Sequence, residues 1–191
     1  MKRASAIATL IALSACATRI NRAEPSAIPT SPSSVPTVSS TSSCPETAGG
    51  SAEVGAFLVD VRVGQHDSYD RITFEFKPRS GSAAGIPSYT LGNTSPPFRK
   101  DPSDEPMQVE GQAFLRLNMK GASGVDQTGT YPTETYAGPK RFRPSMPVLE
   151  DLAEQGDFES AMSWVIGLKK TRCPAVSTAI NPSRLIIDLP D

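Results

Sequence analysis

Apolar and polar residues alternate with a period of two along several short stretches, the pattern of half-buried strands. Through Gly55–Gly64, Phe57, Val59, Val61 and Val63 alternate with Leu58, Asp60 and Arg62. Ile72, Phe74 and Phe76 alternate with Arg71, Thr73, Glu75 and Lys77, and the turn formers of Gly64–Asp70 join the two runs as a hairpin. Ile86–Leu91 is a weaker strand. Ala113, Leu115, Leu117 and Met119 alternate with Phe114, Arg116 and Asn118. Phe158, Met162, Trp164 and Ile166 alternate with Glu159, Ala161, Ser163 and Val165, bounded by Gly167 and Pro174. Leu185, Ile187 and Leu189 against Ile186 and Asp188 form a closing strand. Val148–Gln155 is ambiguous, because Leu149, Leu152 and Ala153 sit at helical spacing while Gly156 fits either a helix cap or a hairpin turn. Asn93–Pro106 and Gly121–Pro147 read as Pro-rich loops. Six or more short strands with such connections predict an all-β fold, a small, mostly antiparallel β-sandwich over residues 52–191.

Composition agrees. Pro is 18 of 191 residues, which disfavours helical bundles, since an interior Pro removes a donor and clashes with the preceding turn. Residues 1–22 hold Lys2, Arg3, Arg19 and Arg22 and no acid, so the other 15 basic residues stand against all 20 acidic ones. A domain of that sign repels phosphate backbones, and no nucleic-acid partner is expected. His66 is the single histidine. A metal site of several imidazoles is therefore excluded, as is a nucleophile–histidine pair that does not use His66.

The first fifteen residues read as a signal peptide: Met1-Lys2-Arg3, then an apolar run from Ala4 to Ala15 too short to span a bilayer. Leu13-Ser14-Ala15-Cys16 resembles the lipobox of bacterial lipoproteins, which implies cleavage before Cys16 and a thioether-linked diacylglycerol on its thiol. Two acyl chains on one glyceryl group hold a protein stably on a membrane, here its extracytoplasmic face. The plainer alternative is an ordinary signal peptide with Cys16 incidental. From Cys16 to residue 51, Ser, Thr, Pro and Ala dominate, a composition that cannot offset ordering at ~1–2 kcal/mol per residue and reads as a disordered tether, plain or O-glycosylated.

Four segments carry a family resemblance. Val63–Phe76 resembles the opening hairpin of the AMIN-like domain of actinobacterial secreted proteins and lipoproteins, and Gly111-Gln112-Ala113-Phe114-Leu115 is similar to its central strand. Gly156-Asp157-Phe158-Glu159 with Trp164–Leu168 resembles its late hairpin, and Pro182–Asp188 its closing strand, a motif shared with the AMIN domains of cell-wall amidases. The resemblance spans Val54 to Leu189. It implies a β-sandwich without catalytic machinery, a strand at Val148–Gln155, and contact with peptidoglycan or an envelope protein. No amidase or other catalytic domain follows it here.

Cys44 and Cys173, an even pair outside the cytoplasm, are expected to form a disulfide. With Val61, Val63, Ile72, Phe74 and Phe76 committed to the core, recognition falls to the hairpin's outward strip: His66, Asp67, Tyr69, Arg71, Thr73 and Glu75. The turn residues His66, Asp67 and Asp70 offer a weaker metal or acid–base constellation. Arg71 and Arg184 with Asp70, Glu159 and Asp188 read as ion pairs, and the basic cluster Lys140-Arg141-Phe142-Arg143 as a solvated loop or an anion contact. Tyr69, Tyr89, Tyr131 and Tyr136 are either packed or free to stack on sugars. No Gly-rich phosphate loop or Gly-x-Ser-x-Gly elbow is present, and no cofactor is expected. A non-catalytic, lipid-anchored envelope module leads; a carrier of a lipid or other small apolar ligand is the alternative, and an enzyme using His66 comes last.

Overall fold

A computed structural model describes residues 43–191. The expected signal peptide, the expected lipidation at Cys16 and the expected tether up to residue 42 lie outside the described residues. The strands in chain order are β1 (Thr47–Gly49), β2 (Ala56–Gln65), β3 (Tyr69–Pro78), β4 (Ser88–Thr94), β5 (Phe98–Arg99), β6 (Pro106–Met107), β7 (Ala113–Lys120), β8 (Ala122–Ser123), β9 (Val125–Asp126), β10 (Thr133–Glu134), β11 (Arg141–Phe142), β12 (Leu149–Phe158), β13 (Ala161–Leu168), β14 (Ala175–Ala179) and β15 (Ser183–Pro190). One sheet has the order β1-β4-β7-β13-β12-β11, the other β14-β15-β3-β2-β8, and β9–β10 and β5–β6 are small ribbons. All pairings between these strands are antiparallel except β2 with β8.

The two sheets enclose one apolar core, as the alternation predicts. Ile72, Phe74 and Phe76 of β3 and Leu185, Ile187 and Leu189 of β15 face Leu115, Leu117 and Met119 of β7 and Met162, Trp164 and Ile166 of β13. Phe74 meets Trp164 edge to face with ring centroids 5.6 Å apart, a favoured aromatic geometry. Cys44 is bonded to Cys173 across 129 positions, with Cα atoms 5.1 Å apart. Residues 47–49, assigned from sequence to the tether, form β1 and pair with Tyr89–Leu91 of β4.

Several expectations require correction, mostly because the strands are not regular. In β2, Leu58 pairs with Phe76 and Asp60 with Glu75, leaving Val59 as an extra residue. This β-bulge inverts the phase of the strand. Ala56 and Leu58 are therefore fully buried, and Phe57 turns outward beneath the Arg79 guanidinium, 5.1 Å from its ring centroid. The segment Val148–Gln155 is strand, with extra residues at Glu150 and Gln155. The first of these bulges brings Leu149 and Leu152 inward three positions apart, the spacing that mimicked a helix. The late hairpin turns not at Gly156 but at Glu159 and Ser160, both in the left-handed region with φ of 49° and 63°. Phe158 is consequently exposed at the end of β12 and not part of the β13 face.

Asn93–Pro106 is not a free surface loop. Phe98 and Met107 are buried on the outside of the six-stranded sheet against Ala153 and Val165, with Phe114 packed alongside. Two glycines admit this close approach: a Cβ at Gly167 would stand 1.8 Å from the Glu110 carbonyl oxygen, and one at Gly156 2.5 Å from that of Asp101. The basic cluster is likewise tied down. Arg141 pairs through two nitrogens with the fully buried Asp151, which also accepts the Glu110 amide at 2.9 Å. Arg143 reaches Glu110 at 3.0 Å, and Lys140 reaches Glu154 at 3.6 Å.

Candidate functional site: the outward face of the five-stranded sheet

Alternation places Tyr69, Arg71, Thr73 and Glu75 of β3 on one side of the five-stranded sheet, opposite the core. The register sets Arg71 beside Asp188, Thr73 beside Ile186 and Glu75 beside Arg184, all from β15. On the other flank, Arg62 and Asp60 of β2 adjoin Thr73 and Glu75. Of the strip expected from sequence, Tyr69, Arg71, Thr73 and Glu75 are thus the middle row of a three-strand polar face, and His66 and Asp67 lie in the turn at its end. Arg62, Arg184, Ile186 and Asp188 belong to that face as well, and the period-two pattern of β2 and β15 carried the signal for them.

The face is a ladder of ion pairs. Arg71 donates from Nε and Nη2 to the two Asp188 oxygens at 2.7 and 2.8 Å, the fork geometry in which guanidinium and carboxylate fit best. Glu75 accepts from Arg62 Nη2 and from Arg184 Nε, each at 2.9 Å, and Arg62 also pairs with Asp60. Hydrogen bonds from Arg62 and then Arg184 hold the Glu75 carboxyl below its ordinary range. The Arg71 guanidinium is raised, chiefly by its hydrogen bonds to Asp188. At the hairpin end, His66 stacks on Tyr69 with centroids 4.5 Å apart and planes at 20°, and the Arg71 guanidinium lies 5.1 Å from the Tyr69 centroid. Asp67 sits exposed in the three-residue turn between β2 and β3.

Asp70 parts company with this turn. Its side chain is fully buried, and Oδ2 accepts the amides of Val148 and Leu149 at 2.7 and 2.8 Å. His66, Asp67 and Asp70 therefore do not converge, and no group of three potential metal ligands occurs among the described residues. Tyr89 and Tyr136 are buried, so they do not offer a free ring to a sugar; Tyr136 donates its hydroxyl to the Pro139 carbonyl at 2.6 Å, and burial pushes its pKa up to about 12. Tyr131 is exposed on a loop. On the opposite sheet, a groove of about 600 Å³ is lined by Lys100, Met107, Lys140, Glu154 and Gln155 among others. Burial raises the Glu154 carboxyl, and Lys140 only partly counters it.

With every acid of the face engaged by an arginine, the surface offers guanidinium N–H groups, a hydroxyl at Thr73 and a partly exposed aromatic pair. These suit recognition by many hydrogen bonds. No curated protein and no solved structure matches the chain. The profile of the AMIN-like domain matches residues 56–191, which points to a module of the cell envelope associated with peptidoglycan. With that match running from the start of β2 through the last residue, the chain belongs to the AMIN-like domain family.

Proposed function

We propose that this protein is a non-catalytic binding module, held on the extracytoplasmic face of the membrane by a lipid on Cys16, that contacts the cell wall through the outward face of its five-stranded sheet. The observation that carries this reading is the half-exposed ladder Asp60–Arg62–Glu75–Arg184 beside Arg71–Asp188. Internal pairing fixes those side chains in place before any ligand arrives, which lowers the ordering cost of binding. A glycan or peptide strand presents hydroxyl and amide groups at a spacing that such a flat polar surface can meet. Placement of the only imidazole supports a role without catalysis, because His66 sits at the hairpin tip on Tyr69, away from the groove. The carrier alternative needs an apolar cavity between the sheets, and there Trp164, Phe74 and Phe76 are buried and packed instead.

Two measurements test this. The purified full chain is expected to sediment with insoluble peptidoglycan and to be released when the glycan is digested; a chain that stays in the supernatant contradicts wall binding. Cys16→Ala is expected to move the protein from the membrane fraction to the medium or to leave unprocessed precursor, and unchanged detergent-phase partitioning contradicts the lipid.

A further inference from the structure

The two sheets end in strands of unequal length. β1 has three residues, and β8 and β11 have two each, too short to template another strand, while the part of β2 that β8 leaves unpaired carries the bulge at Val59 and the charges of Asp60 and Arg62. β14 has five, Ala175-Val176-Ser177-Thr178-Ala179, and among the described residues only β15 pairs with it. Proteins usually blunt such an edge with a charge, an interior Pro or a bulge. Here the whole stretch from Cys173 to Ser183 is uncharged, β14 contains no Pro, and its register with β15 runs without a break. Ser177 and Thr178 are exposed, and Ile180 just beyond is 64% exposed.

The order of side chains is nearly palindromic. If two copies of β14 lie antiparallel about a twofold axis at Ser177, Ser177 meets its own mate. Val176 then meets Thr178, and Ala175 meets Ala179. Both β-branched residues fall on the core-facing side, where Val176 already packs against the core, and β-branched side chains fit a pleated surface well. The three small residues fall on the outward side, so no bulk and no like charge opposes the approach. Just past each end of the strand, the exposed Ile180 of one copy comes near Pro174 of the other, which would cover an apolar side chain that is bare in the single chain. This self-matching meets the requirement of an isologous contact, a surface complementary to itself, and favours a second copy of this chain as the occupant of the edge.

We propose that β14 is a self-association edge, through which two copies join their five-stranded sheets into one continuous ten-stranded sheet. A five-residue strand pair buries less than a standard protein interface. The association is therefore transient in dilute solution and is best read by trapping it where copies are concentrated.

The experiment is disulfide trapping of the full chain in its own envelope. In antiparallel pairs, directly opposed Cα atoms stand ~4.5–5.5 Å apart, within disulfide reach. Ser177→Cys is expected to give, under oxidation, a reducible species of twice the mass, several-fold above Thr178→Cys and above Tyr131→Cys, an exposed position remote in sequence from the edge. Ala175→Cys and Ala179→Cys are expected to link when coexpressed and not when expressed singly. Equal trapping by Ser177→Cys and Thr178→Cys overturns the twofold register. Absence of a dimer above the unsubstituted chain, or linkage of Ser177→Cys only to a different protein, overturns self-association.

Discussion

The Asp70 carboxylate accepts the backbone amide of Val148 at 2.7 Å inside the protein, tying the first hairpin of one sheet to the entrance of β12 in the other. The adjoining Leu149 amide shares the same oxygen at 2.8 Å. Two buried donors thus depend on one side chain, and removing it strands both of them. Asp70→Ala is expected to cost about 3–5 kcal/mol, read as a lower urea midpoint at unchanged slope. Asp70→Asn, which keeps an acceptor oxygen, should lose clearly less. Equal losses for the two variants would mean that packing, not these hydrogen bonds, sets the effect.

Phe74 is fully buried between the sheets and meets Trp164 edge to face. Phe74→Ala is expected to destabilise the domain by ~3–5 kcal/mol, combining lost transfer energy with the cavity left behind. Denaturant unfolding followed by Trp164 fluorescence measures this directly, because Trp164 is the single tryptophan.

Glu75 sets an acid dependence. Its folded-state pKa is depressed by hydrogen bonds from Arg62 and Arg184. The stabilisation is fully present above the unfolded-state pKa and is lost as pH falls through the folded one. The stability gap between the unsubstituted chain and Glu75→Gln should be constant near neutrality and close in acid. A gap that widens on acidification contradicts this sign.

Glu154 works in the opposite direction, because burial raises its pKa. Above that raised value the buried charge destabilises the fold, and protonation relieves it as pH falls toward the unfolded-state pKa. Glu154→Gln is expected to raise the melting temperature at pH 7 and to lose that advantage in acid. Melting curves across pH check it, and a lowered melting temperature at pH 7 would show that the Lys140 pairing outweighs burial.

Reducing the Cys44–Cys173 bond is expected to lower the melting temperature. The bond closes a loop with a sequence separation of 129, for which the chain-entropy model gives at most ~5 kcal/mol. A melting temperature unchanged by reductant, with both thiols shown to be free, would contradict this.

The regular strands were legible in the sequence: Ile72, Phe74 and Phe76, like Leu185, Ile187 and Leu189, alternate without interruption and face the core. The bulges at Val59, Glu150 and Gln155 were not, because one extra residue exchanges the two faces and erases the period that reveals a strand. Phe98 and Met107 read as loop residues, since nothing local shows that a distant sheet offers them an apolar seat. Of the candidate strip, the β3 row followed from alternation alone. That Arg62, Arg184 and Asp188 stand beside this row required the strand order, which joins β3 to β2 and to the chain's last strand. Asp70 was misplaced for the reverse reason: it lies next to turn formers, yet strand parity sends it into the core.

The claim that the outward face of the five-stranded sheet is the wall contact is tested most directly by peptidoglycan retention of single variants, compared per folded molecule. Tyr69→Ala and Arg71→Ala remove partly exposed groups of the ladder and hairpin tip, whereas Lys100→Ala and Lys140→Ala probe the groove on the other sheet and Tyr131→Ala an exposed loop. A several-fold loss of retention is expected for the first two at little change in melting temperature, with retention kept by the other three. Wall retention by Tyr69→Ala and Arg71→Ala equal to that of the unsubstituted chain, or loss in the groove variants instead, would contradict it.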